Sequence, residues 1–225
     1  MPYAMTASPL PATPQPPEER YDGAYGPFTI TDTDRREVLG YRLALLTLAI
    51  AQAVLLAQWR WVGPQWVWPW LLPMAAGLGL ALRWIHIYLR PLHRALQLFW
   101  LLGCLGLLAL AIAAGPASMA TAAQADGRWI WAIGPFFAAL AGIGFKEFFC
   151  FRRPEAIGVT LLLPLALLGR LSGLLSAETS GLLLALEAVL LLVLCLRKFP
   201  MPAAADVGDK SVFAYLEAQR RPSNA

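Results

Sequence analysis

Charge is scarce in this chain. Asp, Glu, Lys and Arg make up 14% of its 225 residues, hydrophobic types make up 58%, and mean hydropathy is +0.56. That balance excludes a water-soluble globule with a charged surface and points to the membrane class. Histidine is scarcer still, with His86 and His93 alone. The three cysteines, Cys104, Cys150 and Cys195, form no CxxC pair, so neither a zinc site nor a disulfide framework follows. No GxSxG, HExxH, P-loop or GxGxxG run is present, and enzyme activity, a bound metal and a cofactor are not expected. A basic soluble face with interleaved aromatics is also missing, which sets nucleic acid aside. The N-terminus lacks a basic leader followed by an apolar core and carries Pro2, Pro9, Pro11, Pro14, Pro16 and Pro17 instead. Residues 1–27 are therefore expected to be a disordered tail and not a signal peptide.

What the chain does have is long apolar runs. A spanning helix needs ~20 mostly apolar residues, and six windows qualify or nearly so: 40–59, 66–88, 92–114, 129–149, 155–171 and 180–197. Between them stand Gly63-Pro64, Arg90-Pro91, Gly115-Pro116 with Asp126-Gly127-Arg128, and Arg153-Pro154. Proline disfavours helix in the residue before it and suits the first helical position, so each point reads as a stop followed by a start. The expected fold is all-α: a polytopic membrane helix bundle of about six spans over residues 28–199, followed by a cytoplasmic tail over 200–225.

Charge placement tests the count. If the windows alternate in direction, one side collects Arg35, Arg36, Arg42, Arg83, Arg90, Arg94, Lys146, Arg152, Arg153, Arg197 and Lys198, whereas the other holds Arg60, Arg128 and Arg170. Positive charge marks the cytoplasmic side, so both termini are expected there. Trp59, Trp61, Trp66, Trp68, Trp70, Trp129 and Trp131 gather at the opposite turnarounds, as indole rings do at an interface. Asp34 and Glu37 have the spacing of a capping box before the first window, and GDKSVFAYLEAQRR has the pattern of a short amphipathic helix.

Three groups of residues stand out chemically. Arg83, His86, Arg90, His93 and Arg94 crowd one basic hairpin. Pro91 places His86 in the last turn of the second helix and His93 in the first turn of the third. Three arginines oppose a cation there and suit an anion such as a lipid phosphate; axial ligation of haem or pigment by His86 or His93 is the alternative. Lys146, Glu147, Arg152 and Arg153 mark a second basic hairpin, whose alternating charges read as a mutually paired, solvated rim. Glu187 lies near the middle of the sixth window. A carboxylate there costs ~2.5–3.5 kcal/mol on insertion scales, which nine leucines and two valines between residues 182 and 196 offset at ~0.3–0.6 kcal/mol each. Its side chain must face the bundle interior, with Gln52 its partner by depth. Packing glue and proton or ion relay are the two readings of this pair. Gly77, Gly79, Gly103, Gly106, Gly142 and Gly144 read as points of close helix contact.

The segments YGPFTITDTDRREVLGYR, WIHIYLRPLHRALQ, GIGFKEFFCFRRPEA and DKSVFAYLE resemble a family of uncharacterised integral membrane proteins of cyanobacteria with chloroplast relatives. The resemblance runs from about residue 25 to 217 and implies a thylakoid or plasma membrane, without implying any catalytic residue. On this reading the chain is a structural, assembly or interaction protein of a photosynthetic membrane, contacting the bilayer, anionic headgroups and a membrane-protein partner. A small transporter using Glu187 and a haem or pigment protein are the competing expectations.

Overall fold

A computed structural model describes residues 19–220, which divide into two units. The larger, Thr33–Gly208, is the helical bundle. Its long elements are α1 (Asp32–Trp61), α2 (Trp68–Trp84), α3 (Arg90–Ala114), α5 (Trp129–Phe151), α6 (Pro154–Leu171) and α7 (Ala177–Lys198), with the short α4 (Met119–Ala125) and α8 (Ala203–Val207) in connections. All but α2 are long and apolar enough to cross a membrane. The chain is thus an all-α polytopic membrane bundle.

With 17 residues, α2 rises about 26 Å at 1.5 Å per residue. Its neighbours hold it within the bundle along its length. It runs antiparallel to α1, with Trp84 against Gly40, Gly77 against Ala44 and Leu48, and Trp70 Nε1 donating to Gln58 Oε1 at 2.8 Å. It runs antiparallel to α3 as well, with Trp100 packed on Gly79 and its indole N–H donating to the Ala75 carbonyl at 2.9 Å. The other neighbours continue the pattern: Leu96 meets Gly142, while Phe136 meets Gly103 and Ala132 meets Gly106 across α3 and α5. Thr160 of α6 packs on Gly144 of α5, and Leu190 of α7 on Gly158 of α6. Each helix reverses the one before it, so the start of α1 and the end of α7 share one end of the bundle. That end carries most of the Lys and Arg, and we call it the basic end.

Four features depart from the sequence expectation. First, α1 begins at Asp32, so Asp34 lies inside its first turn and not at the cap. Second, α2 stops at Trp84, and His86 falls in a non-helical segment instead of a last helical turn. There Ile85 and Ile87 are both buried while His86 and Tyr88 are less so. That is the period of two of an extended chain, which buries two β-branched side chains that a helix would turn to different faces. Third, the loop after α3 winds into a 3-10 turn over Pro116–Ser118 and then α4. Fourth, residues 20–29, expected in part to be tail, form a hairpin; residues 1–18 lie outside the described part.

That hairpin belongs to the smaller unit, up to Asp32 and from Asp209 onward. Strands β1 (Arg20–Gly23) and β2 (Gly26–Thr29) pair antiparallel, Tyr21 opposite Phe28. Helix α9 (Lys210–Arg220) packs with them. Asp209 fixes the join: Oδ2 accepts from the Ala24 N–H at 2.7 Å and Oδ1 from the Ser211 N–H at 2.9 Å, while Ser211 Oγ accepts from the Tyr25 N–H at 3.0 Å. Tyr25 stacks on Tyr215 with ring centroids 3.9 Å apart.

Candidate functional site

One face of α1 carries Tyr41, Leu45, Leu48 and Gln52, and one face of α7 carries Glu187, Leu191, Leu194 and Lys198; all are buried. Both series step by four, three and four, which keeps them on a single helical face. Because the helices run in opposite directions, Gln52 meets Glu187 and Tyr41 meets Lys198. Two polar layers result, about 16 Å apart along the axes at 1.5 Å per residue, with the four leucines packed between them.

In the deep layer Gln52 Nε2 donates to Glu187 Oε2. Glu187 has no solvent exposure, and Gln52 Oε1 and Glu187 Oε1 are both buried without a hydrogen-bond partner. The pairing inferred from depth is therefore present, and it leaves two acceptors unused.

The layer at the basic end is a buried ion network. Glu147 sits on the α5 face that also carries Leu140, Ile143 and Gly144, and it is fully buried. Its Oε1 accepts from the Tyr41 hydroxyl at 2.6 Å and from Lys146 Nζ at 3.3 Å, and its Oε2 from Lys198 Nζ at 2.6 Å. Lys198 Nζ also donates to Asp206 Oδ1 at 2.5 Å. Asp206 Oδ2 accepts from Arg42 Nε at 2.7 Å, and Arg42 donates further to the carbonyls of Met201 at 2.9 Å and Pro202 at 3.2 Å. Both lysine ammonium groups lie over the rings of Tyr41 and Phe151, Lys198 at 4.5 Å from the Phe151 centroid. Three cations thus face two carboxylates, with aromatic faces and backbone carbonyls taking up the excess positive charge.

This corrects the solvated-rim expectation for Lys146 and Glu147. The same holds for Arg42 and Lys198, whose charges were read as membrane-flanking. Nearby, Arg197 donates to Glu155 at 3.0 Å, and Arg153 lies 3.5 Å from the same oxygen. Arg152 is exposed and ends α5 in the left-handed conformation, with φ 50. The three cysteines are free, Cys150 exposed and Cys195 buried.

The first basic hairpin divides. Arg83, Arg90 and Arg94 are exposed. His93 Nε2 lies 2.6 Å from the Leu82 carbonyl oxygen, to which it donates. This bond ties the start of α3 to the end of α2 and occupies one of the two ring nitrogens. His86 faces the start of α1, with Nε2 3.6 Å from Glu37 Oε2. The two histidines therefore face different partners and do not form a joint site.

No curated protein and no solved structure matches the chain. A family model matches residues 80–215, from within α2 to within α9. The match takes in the first basic hairpin, Glu147, Glu187, Lys198 and Asp206, and it covers more than half of the sequence. The chain belongs to the family described as Uncharacterized integral membrane protein (DUF2301).

Proposed function

We propose that the chain is a structural and interaction protein of a photosynthetic membrane, whose bundle holds a fixed shape and offers its basic cytoplasmic end to anionic headgroups and to a membrane-protein partner. The observation that carries this reading is the buried ion network. It joins α1, α5, α7 and the segment after α7 through bonds that satisfy each charge within the protein. Breaking such a network by removing one partner costs about 3–5 kcal/mol, so the basic end is built to stay closed. The exposed Arg83, Arg90 and Arg94 remain available to an acidic surface. The photosynthetic setting rests on the resemblance of the four quoted segments, and the absence of enzyme activity on the missing catalytic motifs.

Affinity purification from native membranes in mild detergent tests the proposal. A membrane-protein partner recovered at fixed stoichiometry is the expected result, and a bare chain that moves a solute in proteoliposomes overturns it.

The second reading, proton-coupled carriage, is favoured by the unused Oε1 atoms of Gln52 and Glu187. Glu187→Gln separates the two: proton-coupled uptake is abolished in a carrier, while a packing role survives because the amide still hydrogen-bonds.

A further inference from the structure

We infer that Asp34, Glu37 and His86 form a binding site for one divalent transition-metal ion at the basic end of the bundle. Each side chain offers one ligand atom, and the three atoms all lie within 4.8 Å of one another. The His86 Nε2 to Glu37 Oε2 separation of 3.6 Å is too long for a direct hydrogen bond. It is close to the separation of about 3.3 Å between two ligands that each stand ~2.0–2.1 Å from one tetrahedral ion.

The local structure explains why these residues converge. Asp34 and Glu37 are three apart on the first turns of α1, so they share a face. His86 comes from the extended segment after α2. Because Ile85 and Ile87 turn into the core, alternation turns His86 the other way. Asp34 is 7% exposed, while Glu37 and His86 are half-buried. The site is thus walled on one side and open to water on the other, as an exchangeable ion requires.

Electrostatics and donor type narrow the ligand. A divalent cation held between the two carboxylate oxygens is attracted by both. The neighbouring arginines are exposed, where water and salt screen them over about 8–10 Å. One imidazole with two carboxylate oxygens suits borderline Zn²⁺, and the carboxylates also suit the harder Mn²⁺, whereas Mg²⁺ and Ca²⁺ prefer all-oxygen shells. Bound there, the ion would staple the start of α1 to the hairpin between α2 and α3.

The test uses the full chain in mild detergent, stripped with a chelator and titrated with Zn²⁺ and separately with Mn²⁺, read by calorimetry and by thermal unfolding. One ion per chain and a raised Tm are expected for at least one of the two. His86→Ala and Glu37→Gln should each weaken binding by a factor of about ten or more, a loss typical of damage to a metal's ligand environment. His93→Ala should bind as the parent does. Because Glu37→Gln keeps the side chain's shape, a loss of binding in that variant at unchanged helical content cannot be ascribed to unfolding. Equal affinity in the parent and in His86→Ala, or no saturable binding of either ion, overturns the site and leaves a histidine–carboxylate ion pair in its place.

Discussion

Arg197 and Lys198 are adjacent, yet their side chains are 55% and 1% exposed. A half-exposed pair such as Arg197 with Glu155 contributes little, and Arg197→Ala should cost below about 1 kcal/mol. Lys198→Met removes the ammonium that bridges Glu147 Oε2 and Asp206 Oδ1 in a dry site and should cost about 3–5 kcal/mol in detergent unfolding. Adding Glu147→Gln should restore part of that loss, because a neutral amide is cheaper to bury than a carboxylate whose Oε2 has lost its ammonium. A double variant no more stable than Lys198→Met would show that the two side chains are not coupled.

The signal for this network was in the sequence. Lys198 follows Glu187 by the same eleven residues that separate Tyr41 from Gln52, so each inward polar residue near mid-membrane predicts a second on its own face. Counting Lys198 and Arg42 as membrane-flanking charge hid it, since that count ignores which way a side chain points. The contribution of Asp206 was not legible at all. It arrives from α8, beyond the last apolar window, and only the tertiary fold brings it to Arg42.

Between elements, glycine sets the spacing. A Cβ at Gly106 would run into the backbone of Ala132, and one at Gly103 into Phe136, so α3 and α5 touch main chain to main chain. Gly106→Val should push these helices apart and cost about 1–3 kcal/mol, read as a lowered Tm in detergent. Gly134→Ala, whose added carbon would stand 3.8 Å from Ile130, should be neutral or slightly stabilising, since alanine is the better helix former. The glycines were legible as contact points from their place in apolar runs, but their partners were not. Helix positions were legible to within a few residues wherever proline or glycine bounds an apolar run. The sequence misled where burial overrode the pattern: Ile85 and Ile87 end α2 early.

At the scale of the whole molecule, orientation in the membrane and acid sensitivity can both be read near the ends of the described chain. Reporter fusions to the C-terminus should be cytoplasmic; a fusion found outside would break the six-crossing arrangement. The smaller unit should be sensitive to acid. Hydrogen bonds from Ser211 and from the Ala24 N–H hold the Asp209 carboxyl below the usual carboxylate range. The unfolded unit therefore binds the proton more readily than the folded one. Its stabilisation is fully present above the ordinary carboxylate pKa of about 3.9 and is lost as pH falls through the lower, folded value. Amide exchange at Ala24 should quicken over that acid window, and in Asp209→Asn this pH dependence should disappear.

The same unit has a consequence for biosynthesis. Its strands emerge from the ribosome before α1, and α9 emerges after α7. A lone two-stranded hairpin is marginal in water, so β1 and β2 must wait through every round of membrane insertion before α9 reaches them. Joining of the hairpin to α9 thus reports that α1 to α7 have all been made, and a chain cut short before α9 would carry an unclosed hairpin.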